Sequence, residues 1–427
     1  MTDLSRMEFC MLALSFHAPT LEDVETETRD AVRRSIPATV PAGRVAVAVG
    51  SRGIRDIARI CRTAISTLRE LGFSPFIVPA MGSHGGATAE GQKATLASLG
   101  ITEEAMGCPV VSSQDVVLLG ETDEGLPVYC DRAAAEATGI VVINRIKPHT
   151  SFSGPIESGL TKMLAVGLGK QAGARAIHQY GPEGLATHIP AVAKRIIEKI
   201  PVLMGLGIIE NALEETAAVV GVRGDKIITD EPDLLLRAKS LMPRLPFEWC
   251  DVLVVEEMGK DISGVGMDPA ITGRMGIQGM KDPGWPRVSR LVVLGLTEAT
   301  HGNAHGVGAA DFVTERLKNA IDIAVTYRNS LTAGFPEKAK IPLTAKNDRE
   351  AILFALATCG RPVSHDTARV VVIKNTLSVR YVLATRPLWE EVKGLDWVRR
   401  VSGWSCLRFT PSGELESGLP HGGSPQA

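Results

Sequence analysis

The chain has 427 residues, 44% of them hydrophobic and 22% charged, with a formal net charge of −2. That length suits two domains, and the balance is that of a globular protein that builds its core without staples. A near-neutral chain lacks the basic footprint of a nucleic-acid binder, and no apolar run approaches the ~18 residues of a bilayer span. The 7 cysteines are odd in number and form no C-x-x-C pair. This is a poor framework for disulfides or zinc and suits reduced thiols in a cytoplasmic protein.

Residues 1–40 read as an arm with an apolar patch at 11–16, then a charged helix at 21–34. Asp3, Arg6 and Glu8 precede the patch and no small-residue cleavage site follows, which is not the form of a signal peptide. Residues 45–49 alternate valine with alanine, as in a buried parallel strand. A loop at 51–54 leads into a helix ending near Leu71. Its Ile57, Cys61, Ile65 and Leu68 fall at helical spacing, and Gly72 is its C-cap. Strand 75–79, loop 80–88 and helix 89–99 repeat the pattern, which implies a doubly wound sheet with right-handed crossovers. Short strands at 116–119 and 127–129 and a helix at 133–138 precede another buried strand at 139–143. A helix at 190–200, a strand at 201–209 and a helix at 231–242 complete the first half. Two prolines within 243–246 mark a boundary. Strands at 251–256, 290–296 and 369–374 follow, with a long amphipathic helix at 311–327 and a shorter one at 349–357. The expected domains are 1–245 and 246–410, with 411–427 a disordered tail rich in Gly, Pro and Ser. The fold class is α/β: two α/β domains with doubly wound, mainly parallel sheets and an active-site cleft between them.

Chemistry gathers at residues 144–178. Pro148 disfavours helix at Lys147, so His149 belongs on a loop leaving a strand end, where open α/β sheets bind ligands. His84 sits among glycines on a second such loop, and Arg52 on a third. If those loops converge, the Arg52 guanidinium suits a carboxylate. The two imidazoles could then act as acid and base on opposite sides of one carbon, a geometry for inverting a stereocentre. Lys162, flanked by Leu160, Met163, Leu164 and Val166, reads either as a desolvated nucleophile or as a lysine reaching water. Lys260 and Asp261 follow the strand at 251–256 and could close over a substrate or form a solvated turn. His301 and His305 have the spacing of a zinc pair, but the glycines beside them and the lack of a Glu after His301 argue against one. The G-L-G-K at 167–170 lacks the first glycine and the Ser/Thr of a P-loop.

Taken together, G-S-R-G-I at 50–54, G-S-H at 82–84, K-P-H at 147–149, F-S-G at 152–154, Lys162 and His178 resemble the nickel-dependent lactate racemase family. The likeness covers most of the N-terminal half and, more loosely, the C-terminal half. It implies a divergent homologue: an isomerase that racemises or epimerises a 2-hydroxy acid by proton-coupled hydride transfer. The implied cofactor is a nickel pincer nucleotide, a pyridinium-3,5-bisthiocarboxylic acid mononucleotide carrying nickel. On that resemblance Lys162 binds the cofactor covalently and His178 ligates nickel. His84 and His149 are the acid–base pair, and Arg52 and Lys260 contact substrate. Two departures lie near the implied site. Pro155-Ile156-Glu157 lengthens the gap from His149 to Lys162, and Val49-Gly50-Ser51 replaces an aspartate-containing turn. Read from the residues alone, the alternatives are a metal-dependent hydrolase using the histidines and a non-catalytic nucleotide- or carboxylate-binding protein. The expected partner is a small 2-hydroxy acid, with no nucleic acid and no membrane.

Overall fold

A strand without polar side chains on either face needs cover on both, and residues 45–49 receive it. The computed structural model describes residues 3–51 and 53–420. The chain folds as two units, His17–Met242 and Met1–Phe16 with Pro243–Ala427. Strands are numbered along the chain from β1 (Glu8–Leu14). The His17–Met242 unit holds β2 (Arg44–Val49), β3 (Ser74–Pro79), β4 (Val116–Glu121), β5 (Pro127–Asp131), β6 (Gly139–Arg145), β7 (Val202–Glu210) and β8 (Thr216–Arg223). Its main sheet has the order β3-β2-β6-β7-β8. The first four strands are mutually parallel and β8 runs antiparallel to β7.

From β2 the chain steps outward to β3 and later returns to β6 on the other side of β2. That reversal creates a switch point at the carboxyl ends of β2 and β6. On one face Val45, Val47, Val49, Val141 and Leu206 pack with residues of the helices Val24–Ser35 and Ile57–Glu70. On the other, Leu160 and Ile146 seat over Gly205 and Gly207, where a Cβ would approach each of them to 2.6 Å. The helix Val24–Ser35 begins where expected because Asp23 caps it, accepting the Thr26 N–H at 2.9 Å. Losing such a cap costs about 1 kcal/mol. Gly72, at φ +87, follows the helix Ile57–Glu70 as its left-handed stop.

The other unit adds β9 (Trp249–Met258), β10 (Arg287–Leu296), β11 (Phe312–Thr314), β12 (Leu343–Ala345), β13 (Val370–Ile373), β14 (Tyr381–Thr385) and β15 (Val398–Arg400). The order is β12-β11-β10-β9-β13-β14-β1-β15. It is parallel from β12 to β13 and antiparallel from β14 onward.

Several expectations need correction. The arm at residues 1–16 is not an appendage of the first domain. Its apolar patch forms part of β1, paired with β14 on one side and β15 on the other. The unit boundaries therefore differ from 1–245 and 246–410. The single helix at 311–327 is a strand, β11, followed by the short helices Glu315–Asn319 and Ile323–Ala333. Phe312 and Val313 belong to core clusters on opposite faces of the sheet, a period of two that the longer helical pattern obscured. The helix expected at 190–200 starts at Gly181, with Pro190 inside it. β8 was not anticipated. In the tail, Leu415–Glu416 pairs with Arg408–Phe409, held by Asp348, which accepts the Leu415 N–H at 2.8 Å. Residues 421–427 lie outside the described residues. No described helix is long and apolar enough to cross a membrane, and all 7 cysteines are free.

Candidate active site

Three loops leave the carboxyl ends of neighbouring strands: 50–56 after β2, 80–88 after β3 and 146–159 after β6. Parallel pairing puts them on one sheet edge, at the switch point. Arg52, the expected carboxylate partner, lies outside the described residues. Beside it, the Ser51 hydroxyl hydrogen-bonds to Nδ1 of His84, which ties the first loop to the second. The first loop is held from behind by Glu210, which accepts the Arg55 N–H at 2.6 Å and pairs with Arg145. A Cβ on Gly50 would lie 3.2 Å from Asn144 and 3.4 Å from the Met163 sulfur, so this loop runs against the segment carrying Lys162. The second loop touches the same segment, with the Gly82 N–H donating to the Gly167 carbonyl at 3.2 Å.

That segment has an unusual backbone. Leu160–Lys162 is a turn of α-helix, Met163–Gly167 a π-helix, and Lys170–His178 α-helix again. π-Turns inside helices recur at functional sites. Lys162 and His178 are both half-buried. Burial holds the His178 pKa below the ordinary imidazole value, and the nearby Lys162 charge pushes the same way. Nδ1 of His178 lies 2.5 Å from the Ala174 carbonyl. A carbonyl only accepts, so Nδ1 carries the hydrogen and Nε2 keeps its lone pair. A neutral ring with its Nδ1–H held by a carbonyl is the form in which histidine ligates metals.

His149 is set the other way. Its Nδ1 accepts the Ser151 N–H at 3.0 Å, so the neutral ring carries hydrogen on Nε2. The ring lies against Phe152 with centroids 4.3 Å apart. The structure thus joins His84 to Ser51 and places Lys162 near His178, while His149 occupies its own loop on the same edge.

Four supporting groups escaped the sequence reading. Glu157 is buried beneath the third loop, accepting the His149 N–H at 2.7 Å and the Gly154 N–H at 3.2 Å and pairing with Lys239 at 2.7 Å. Glu231 accepts both the N–H and the hydroxyl of Thr161, at 2.7 and 2.6 Å, fixing the turn that ends in Lys162. Lys170 and Gln92 form a third buried anchor. A carboxylate or amide distant in sequence gives no periodic signal. In the sequence Glu157 stands out only as part of a longer gap, and G-L-G-K only for its mismatch to a phosphate loop. Among the described residues no group of three or more His, Cys, Asp or Glu side chains is placed to hold a metal.

Lys260 belongs to the Pro243–Ala427 unit. Its backbone N–H donates to Thr300 at 3.0 Å and its ammonium to the Gly264 carbonyl. Its charge adds to burial in lowering His305 to about 3 and Lys338 to about 7. His305 is buried and bonded to Ser330 at 2.7 Å, which gives it a partner within the fold.

Residues 41–180 match the family model described as the lactate racemase N-terminal domain. No curated protein matches the chain. Among solved structures, the lactate racemase apoprotein from Thermoanaerobacterium thermosaccharolyticum shares the fold. The TM-score is 0.51 at 14% identity, covering 85% of this chain and 99% of that one.

Proposed function

We propose, from the match of residues 41–180 to the lactate racemase N-terminal domain, that this chain is an isomerase inverting the hydroxyl-bearing carbon of a 2-hydroxy acid with a nickel pincer nucleotide held at Lys162 and His178. The observation that carries this reading is the state of His178. It is a neutral imidazole with Nδ1 tied to Ala174, Nε2 available, and a lysine ammonium close by. One imidazole and one amine are the donor set that such a cofactor asks of the protein, because it brings its remaining metal ligands itself. When bound, the group supplies an acceptor for the hydrogen leaving the substrate carbon.

The chain's own residues do the rest. The Lys162 amine would hold the group, from a turn fixed by Glu231 and Thr161. The expected partner of the substrate carboxylate is Arg52. His84 exchanges the hydroxyl proton at Nε2. Its Nδ1 rests on the Ser51 hydroxyl, which can donate or accept and so serves either tautomer. His149 starts as a donor at Nε2, oriented to hold a substrate oxygen, and becomes a base only when the Ser151 N–H releases Nδ1. Lys260 remains a proposed substrate contact. The cytoplasm is the proposed location, a reducing compartment that suits 7 free thiols.

The test is intact mass and nickel analysis of protein co-expressed with a pincer-synthesis pathway, with chiral 2-hydroxy acids screened for loss of optical rotation. The expected result is an adduct localised to Lys162, bound nickel, and racemisation abolished in His84→Ala. Full racemisation by adduct-free protein would overturn the proposal.

A further inference from the structure

We propose that Lys170 and Gln92 are positioning residues for the His84 imidazole, forming a buried link between the segment carrying Lys162 and His178 and the loop carrying His84. The inference rests on His84 being the proton-exchanging group proposed above. Lys170 and Gln92 are 0% exposed and Asp131 is 1% exposed. An ammonium has three N–H donors, and Lys170 has two hydrogen-bond acceptors and one ion-pair partner within reach. They are the Pro79 carbonyl at 2.6 Å, the Gln92 side-chain oxygen at 3.2 Å and Asp131 Oδ2 at 3.1 Å.

Pro79 is the last residue of β3, directly before the His84 loop. Because its oxygen faces Lys170, the Gln92 amide must point its nitrogen the other way. There Nε2 donates to the Gly82 carbonyl at 2.8 Å and to the His84 carbonyl at 3.3 Å. The orientation of one amide thus fixes the backbone on which the imidazole rides. Asp131 closes the arrangement. Its N–H donates to the Leu168 carbonyl at 2.7 Å, and its Oδ1 caps the following turn through the Ala134 N–H at 3.0 Å. Lys170 itself sits at φ +53, a left-handed conformation uncommon for a lysine, which two hydrogen bonds and the ion pair hold in place. This lysine is the one in G-L-G-K. It faces the core and serves no phosphate.

The test compares two histidines in the cofactor-free full chain. Gln92→Leu removes both donors to the His84 loop while keeping the residue's bulk. The His84 ring resonances in ¹H–¹⁵N spectra are expected to shift and those of His149 to stay, since Glu157 anchors its loop separately. Gln92→Glu still accepts from Lys170 but cannot donate, so it should behave like Gln92→Leu. In loaded enzyme both variants should lose about 10- to 100-fold in kcat with KM changed by less than about twofold, the signature of misplacement rather than lost binding. Unmoved His84 resonances would overturn the proposal, as would equal movement of both rings, which signals general loosening. If Gln92→Leu does not fold, Lys170→Met with Asp131→Asn supports the same comparison. A selective His84 shift in a protein that racemises nothing would keep the link and remove the functional reading.

Discussion

The two histidine loops leave the same sheet edge but are anchored by opposite means. The His84 loop is pinned by a cation, Lys170, with a carboxylate partner equally cut off from water. The His149 loop is pinned by an anion, Glu157, whose partner Lys239 keeps 40% of its side chain exposed. The difference has an energetic meaning. A fully buried pair is costly to break, because removing one partner strands the other charge in the interior. A pair with one end in solvent loses little when that end is removed, because water takes its place. The His84 loop is therefore coupled to the integrity of its unit, and the His149 loop can loosen locally.

The largest expected effect follows from breaking the first anchor. Lys170→Ala strands Asp131 and should destabilise the His17–Met242 unit by about 3–5 kcal/mol in urea melts. A loss below about 1 kcal/mol would place the two anchors on an equal footing. Glu157→Ala should cost about 1–3 kcal/mol, since two loop N–H groups lose their acceptor. Hydrogen exchange should speed up across residues 146–159 and not at 80–88. Gly159→Ala, at the far end of the same loop, would bring a Cβ to 2.1 Å from Glu231 Oε1. It should cost about 1–3 kcal/mol through overpacking and lower the yield of the Lys162 adduct. Lys239→Met should cost less than about 1 kcal/mol, and a larger loss would contradict the solvent-backed character of that anchor.

The last expected effect depends on pH. The folded His178 pKa lies below its unfolded value of 6.5. Beneath that pH the unfolded chain binds more protons, so stability should fall as pH drops through about 6.5 toward the folded value. His178→Gln should flatten that part of the pH–stability curve, and an unchanged slope would place the acid sensitivity elsewhere. His305, buried in the other unit and lowered to about 3, should contribute a separate loss of about 2 kcal/mol between neutral pH and pH 5.

Much of this edge was legible before the fold. The valine–alanine run of β2, the Pro148 signal and the glycines around His84 are local, and local signals set strands and the loops leaving them. The same locality misled at β11, where helical spacing over 311–327 outweighed three strand residues that a parallel sheet recruits. It also hid β1, whose partners lie more than 360 residues away in sequence.

By itself, the sequence determined which side chains leave which strand ends, because side-chain period and turn chemistry are properties of adjacent residues. Only the tertiary structure decided which nitrogen of His149 and of His178 carries the hydrogen and which carboxylate or ammonium holds each loop. Those outcomes depend on where a carbonyl, an amide or a buried charge comes to rest, and folding alone brings such groups within bonding distance.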